Sequence, residues 1–162
     1  MNLPDLATWS GRWKGRSLHL LQPLAFMNRS GPPIQGYLRK IGASLVDLLI
    51  IVDDLDLPPG TLRIRPGGSA GGHRGLEDLI DHLGTDRFAR CRLGIGRPDD
   101  GEAVEEFVLM QPPEEQQGIF HEMKDRAAEA ALCWSVEGVK NAALRYNGPL
   151  PGGTAEDSIP EN

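Results

Sequence analysis

Two short apolar runs set the frame of the chain: SLHLLQP at 17–23, ended by proline, and LLIIVDD at 48–54, closed by carboxylates. Continuous apolar runs of this length suit strands buried in a parallel sheet. Between them, PPIQGYLRKIGA follows Gly31 with prolines that a first helical turn tolerates, and Ile34, Leu38 and Ile41 fall on one face. The spacing predicts a strand–helix–strand unit. LPPG at 57–60 signals a turn into TLRIR at 61–65, where Leu62 and Ile64 face one way and Arg63 and Arg65 the other. A glycine-rich loop from Gly67 to Gly72 then opens a helix whose Leu76, Leu79, Ile80 and Leu83 form a stripe stopped by Gly84. RCRLGIG at 90–96 alternates again, with Arg90 and Arg92 opposite Cys91, Leu93 and Ile95. Each of these two strands thus presents a pair of arginines on one side.

From Glu114 to about Tyr146 the pattern is helical, with Ile119, Met123 and Ala127 as its stripe and a break expected near Ser135. Gly138 weakens the second piece, since glycine costs about 1 kcal/mol relative to alanine inside a helix. The remaining GPLPGGTAEDSIPEN has too little apolar content to pack. One domain over 1–147 and a disordered tail over 148–162 are expected.

Composition narrows the class. With 162 residues, 40% apolar and 25% charged, and a mean hydropathy of -0.32, the chain matches an ordinary globular protein. No apolar run approaches the roughly 20 residues that span a bilayer, and no basic stretch precedes an apolar core as in a signal peptide. A cytoplasmic protein with no membrane partner is the expectation. Cys91 and Cys133 lie far apart without C-x-x-C spacing, which points to buried thiols in a reducing compartment. The net charge of -6 argues against a general polyanion binder. Yet seven arginines face four acids between Thr61 and Pro98, so a local basic face remains open.

Several positions could carry chemistry. Backbone N–H groups of a loop such as Gly67–Gly72 can approach an anion at a helix N-terminus, but the loop lacks the P-loop and dinucleotide spacings, and taken alone a flexible connection is the better reading. Asp53-Asp54-Leu55-Asp56 ends an apolar strand, where α/β sheets place site residues and where carboxylates orient histidines or bind metals. Polar residues also simply end strands. The histidines at 19, 73, 82 and 121 show no metal-ligand spacing, and no G-x-S-x-G elbow is present. His73, beside the glycine loop, is the better functional candidate; His19 suits a strand. Phe26, Met27 and Asn28 follow a strand end, where the first two would ordinarily be core and the third a turn residue.

In order and spacing these pieces resemble the bacterial peptidyl-tRNA hydrolase family, over roughly residues 9 to 147. Phe26-Met27-Asn28-Arg29-Ser30-Gly31 is similar to its F-M-N-x-S-G motif, and DDLDLPPG at 53–60 to its D-[ED]-L-D-L-P-x-G. GGSAGGHRGL at 67–76 resembles G-G-x-x-G-H-N-G-L, and RLGIGRP at 92–98 resembles R-[IL]-G-I-G-x-P. Glu106 to Leu109 and the final helices are similar to the family's lid and C-terminal helix.

The resemblance implies a single α/β domain with a mixed, mostly parallel sheet flanked by helices. It implies a monomer that uses no metal or other cofactor and hydrolyses the ester joining a peptide to the 3′ ribose of tRNA, its partner. Asp53 would then polarise the general-base histidine. Phe26 and Asn28 would line the pocket, with the asparagine amide holding water or the developing oxyanion. Arg65 and Arg92 would clamp the tRNA 5′ phosphate, with Arg63 beside them. Two departures stand out. The family's first strand, G-L-G-N-P-G loop and T-R-H-N helix, whose histidine is the base, have no counterpart in these 162 residues, so a shortened N-terminus is expected, with the base outside the chain. An inactive RNA-binding module is the alternative, and His73 as substitute base a third reading with little in the spacing to favour it. At position 74, the family's substrate-orienting asparagine is replaced by Arg74.

Overall fold

A computed structural model describes residues 5–99, 101 and 103–151. The chain opens on a strand that no apolar run announces: β1 (Leu6–Trp13) folds back on β2 (Arg16–Pro23) in antiparallel register, from Leu6 opposite Pro23 to Trp13 opposite Arg16. Lys14 and Gly15 between them hold φ of 44° and 82°. A two-residue turn with both central residues at positive φ matches the right-handed twist of the strands it joins. The SLHLLQP run is therefore not a buried parallel strand. Its only strand partner among the described residues is β1, and Leu20 is 64% exposed.

The expected helix is α1 (Gly31–Ile41), with prolines in its first turn and Gly42 closing it at φ 67°. Next come β3 (Leu49–Asp54), β4 (Thr61–Arg65), α2 (Arg74–Leu83), β5 (Ala89–Gly94), the short α3 (Val104–Phe107), α4 (Glu114–Tyr146) and β6 (Gly148–Pro149). The main sheet has the order β3-β5-β4-β6. It is mixed, as expected, but among the described residues β3–β5 is its one parallel pairing, and β4 runs antiparallel to β5 and to β6. The reason is the tight LPPG connection, because only a long crossover returns a chain in the same direction. Helices flank both faces. Ile34, Tyr37 and Leu38 of α1 meet Leu76, Leu79 and Phe88 on one side, and Met123, Ala127 and Ala130 of α4 meet Leu62, Ile64 and Cys91 on the other.

Two boundaries differ from expectation. The long helix breaks at Gly138, whose φ of 82° and ψ of 173° are open to glycine alone, while Ser135 stays helical with its hydroxyl donating to the Leu132 carbonyl at 2.7 Å. The domain also continues past Asn147. That residue brackets Ile64, its Oδ1 accepting the Ile64 N–H at 2.6 Å and its amide donating to the Ile64 carbonyl at 3.3 Å, so that β6 docks on the edge of β4. Leu150 is then buried in the core, its N–H donating to the Gly60 carbonyl at 2.9 Å. Edge pairing of 148–149 and the burial of a single apolar side chain, Leu150, order this segment. The rest of the expected tail, 152–162, lies outside the described residues.

The strand–helix–strand unit is present in chain order, but β2 and β3 are not hydrogen-bonded neighbours. A cavity of about 1100 Å³ is lined by residues of both, among them Leu18, Leu20 and Leu21 of β2 and Ile50, Ile51 and Val52 of β3. Ile51, on a strand of the main sheet, is left 43% exposed.

Candidate active site

The C-terminal end of β3 carries two adjacent carboxylates that alternate in direction. Asp54 is buried: its Oδ1 accepts the Asp56 N–H at 2.9 Å and its Oδ2 pairs with Arg92 Nη1 at 3.3 Å. It braces the turn. Asp53 keeps 42% of its side chain exposed and faces His73, whose Nε2 lies 3.5 Å from its Oδ1. His73 is the N-cap of α2, and its Nδ1 accepts the Leu76 N–H at 3.1 Å. A neutral imidazole whose Nδ1 accepts must carry its proton on Nε2, the nitrogen turned towards Asp53. At 3.5 Å this is a long contact, and Nε2 is buried with no closer partner. The Nε2–H of His73 facing it holds the Asp53 carboxyl below its usual pKa, and burial works against it.

The Phe26–Asn28 segment meets the same place from the other side. Met27–Arg29 form one 3-10 turn, tied by the Ser30 hydroxyl to the Met27 carbonyl at 2.8 Å. It lies so close to the start of α2 that a Cβ on Gly75 would sit 2.6 Å from Met27 Cγ and 3.0 Å from His73 Cε1. Met27, Asp53, His73 and Gly75 all line the large cavity. Phe26, 81% exposed, and Asn28, also exposed, flank Met27 at its rim. Arg74 follows His73 and extends outward, pairing with Glu105 of α3 at 3.2 Å.

The arginine face divides in two. Arg63 stands directly opposite Arg92, and Arg65 opposite Arg90. Arg63 and Arg65 are exposed. Arg92 is partly covered, held by Asp54 and by the Ser69 carbonyl at 3.0 Å. Arg90 is 1% exposed, which corrects the expectation of paired arginines displayed on both strands. Its Nη1 donates to the Ser69 carbonyl and its Nη2 to the Asp86 carbonyl, both at 2.9 Å, and its guanidinium lies 4.7 Å from the Phe88 ring centre. Burial lowers its pKa, Arg92 lowers it further and Asp86 opposes. Arg90 thus ties together the loops on either side of α2.

With this geometry in view, residues 5–154 match the family model described as peptidyl-tRNA hydrolase. The chain belongs to the peptidyl-tRNA hydrolase family. The peptidyl-tRNA hydrolase of Halalkalibacterium halodurans is 47% identical over 125 residues, covering 77% of this chain and 68% of that relative. That of Dehalococcoides mccartyi strain BAV1 is 40% identical over 143 residues, covering 86% of this chain and 76% of the relative. The crystal structure of the Acinetobacter baumannii peptidyl-tRNA hydrolase superposes with a TM-score of 0.82 at 31% identity, covering 91% of this chain and 77% of that one.

Sequence reasoning placed Asp53, Phe26, Asn28 and Arg74 on loops and strand ends that converge here, and Arg63, Arg65 and Arg92 on one face of the neighbouring strands. It named Asp54 and Arg90 without their bracing roles, and it named His73 without its contact to Asp53. The capping position of His73 was legible, because the helical stripe starts at Leu76 and puts His73 three residues ahead. Nothing in the alternation separates buried Arg90 from Arg92, since both point to the same face. What covers Arg90 is the pair of loops flanking α2.

Proposed function

We propose that this chain acts as an esterase that hydrolyses the bond between a peptide, or an N-blocked aminoacyl group, and the 3′ ribose of tRNA, returning tRNA to translation. The observation that carries the reading is Asp53: a half-exposed carboxylate, held ionised by His73, beside the Phe26–Asn28 turn at the mouth of the cavity. In the reaction, water attacks the ester carbonyl carbon and gives a proton to a base. The tetrahedral intermediate then collapses, and the 3′ oxygen leaves with a proton. Asn28 is the donor for the developing oxyanion, Phe26 the apolar wall, and Arg74 a rim group towards the peptide. Arg63, Arg65 and Arg92 hold the tRNA phosphate, since such contacts fix register without reading bases.

Asp53 orients the base and is not the base itself. His73 does not fill that role, because its Nδ1 lone pair is taken by the Leu76 N–H and its Nε2 carries the proton. His19 is bonded to Tyr37 at 3.0 Å, and His82 and His121 are engaged with Asp78 and Asp125 on their own helices. The base we propose is a histidine brought to the free side of Asp53 by a segment seated in the cavity between β2 and β3. The two thiols, unpaired and buried, suit a reducing compartment such as the cytoplasm.

The test is release of an N-acetylaminoacyl group from tRNA by the 162-residue protein and by a form extended in frame upstream of Met1. Release by the extended form alone supports a base supplied from outside these residues. Retained tRNA binding with release by neither form would replace the esterase with an RNA-binding module.

A further inference from the structure

Residues of β2 from Arg16 onward line the large cavity, and the tip of the β1–β2 hairpin holds the densest group of cations in the chain. Arg12, Lys14 and Arg16 fall within five residues. They belong to a wider imbalance. Residues 1–46 contain six Lys and Arg against one acid, Asp5, a net +5, whereas residues 47–162 contain eleven against twenty-two, a net -11. Among the described residues none of the three tip cations forms an ion pair. All three are exposed.

Three further features mark the tip. Lys14 is the one non-glycine among the described residues at positive φ, 44°, in a turn position that asparagine or glycine occupies at lower cost. A strained, solvent-facing lysine is an unusual choice for a turn that needs only to reverse the chain. Arg12 spans the turn, its Nη2 donating to the Gly15 carbonyl at 3.0 Å. On the opposite face Trp9 and Trp13 are 52% and 40% exposed at alternating positions, with side-chain-free Gly11 between them and Arg16 paired across from Trp13. Lys14 Nζ lies 5.7 Å from the Trp13 ring centre. Cations interleaved with exposed aromatic rings suit the sugar–phosphate backbone and unstacked bases of RNA.

We propose that the hairpin tip is a second RNA contact, separate from the arginines of β4 and β5, in which Arg12, Lys14 and Arg16 meet phosphates and Trp13 supports a sugar or an unpaired base. This rests on the reading above that the substrate is joined to tRNA. The eight residues of β2 span roughly 25 Å from the tip to Pro23, beside the Phe26–Asn28 turn. At that distance the tip reaches the body of the tRNA, not its 3′ end. For a chain of net charge -6, a contact there offsets the repulsion that the acidic remainder exerts on the same polyanion.

The experiment is titration of deacylated tRNA with the 162-residue protein over a series of salt concentrations, with the Arg12→Gln, Lys14→Gln, Arg16→Gln triple variant and the Arg65→Gln, Arg92→Gln double variant in parallel. Removing one cation from a phosphate reduces the slope of log affinity against log salt by about 0.9. The triple variant is expected to show a slope smaller by about 2 to 3 and an affinity at least about tenfold weaker at low salt, converging with the wild type at high salt. Lys14→Gly separates fold from RNA binding, because it should raise the unfolding temperature while weakening the affinity for tRNA. An unchanged slope in the triple variant, with a reduced slope in the double variant, overturns the hairpin contact and leaves the tRNA reading intact. Unchanged slopes in both remove the tRNA reading as well. Hairpin-dependent binding to phosphatidylglycerol vesicles with none to tRNA would reassign the tip to a membrane surface.

Discussion

A carboxylate that orients an imidazole has to stay ionised and keep its direction, and His73 serves both needs of Asp53. Because the Asp53 carboxyl is more acidic in the fold than in the unfolded chain, it adds stability that is present above the ordinary carboxylate range and lost as pH falls through its depressed value. Half-exposed as it is, solvent screens the effect. His73→Asn keeps an N-cap acceptor and removes the Asp53 partner. Urea unfolding of wild type and His73→Asn from about pH 5 downward should therefore show the wild-type advantage shrinking with acidity. A constant difference would contradict the coupling. His73→Ala also loses the cap, about 1 kcal/mol, which for a chain of this size lowers Tm by about 2–4 °C. Arg90 presents the other residue-scale case. Arg90→Met withdraws the donor that the Ser69 and Asp86 carbonyls share, at about 1–3 kcal/mol in urea unfolding, because each carbonyl keeps a second donor, from Arg92 and from the Gly68 N–H. An exposed arginine would cost almost nothing.

At the scale of elements, periodicity located α1, β3, β4, α2 and β5 within a residue or two, because each is an apolar run, stripe or alternation bounded by turn residues. It failed where backbone geometry or edge pairing decides. β1 was invisible because its LATWSGRW leaves nearly every side chain but Leu6 in solvent and is held mainly by pairing with β2. β6 was invisible because two residues paired with β4 carry no pattern. The break in α4 was visible as a glycine, but its place depended on a torsion that glycine alone accepts. That torsion reverses a standard expectation. Alanine for glycine normally stabilises a helix by about 1 kcal/mol, whereas Gly138→Ala should destabilise by about 1–3 kcal/mol, because φ of 82° strains any side-chain-bearing residue. A rise in Tm would mean that the helix runs straight through. Gly94→Ala is expected to be harsher than its chemistry suggests, since a Cβ there would lie 2.1 Å from the Pro58 carbonyl oxygen and force the LPPG turn off β5. Circular dichroism melts of the two variants read both outcomes.

Across the whole molecule, four motifs in order identified the family, because each marks a place where the backbone must turn or approach closely at the same end of the sheet. The strand directions were less legible. Apolar runs report burial and say little of orientation, and β2 looks buried in sequence because it borders a cavity that apolar side chains line from both strands. Towards that cavity β2 and β3 have no hydrogen-bonded strand partner among the described residues, and Ile51 is 43% exposed. Charge is divided just as unevenly, with the basic hairpin and the Arg63, Arg65 and Arg92 group set within an otherwise acidic chain. Asp53 lines the cavity at the C-terminal end of β3. The most direct test is the rate at which a catalytically competent form of the protein releases an N-acetylaminoacyl group from tRNA, compared with its Asp53→Asn variant. Loss of a polarised base predicts a kcat lower by about 10²–10⁴ with tRNA affinity unchanged. Hydrolysis by Asp53→Asn at the wild-type rate would contradict the account.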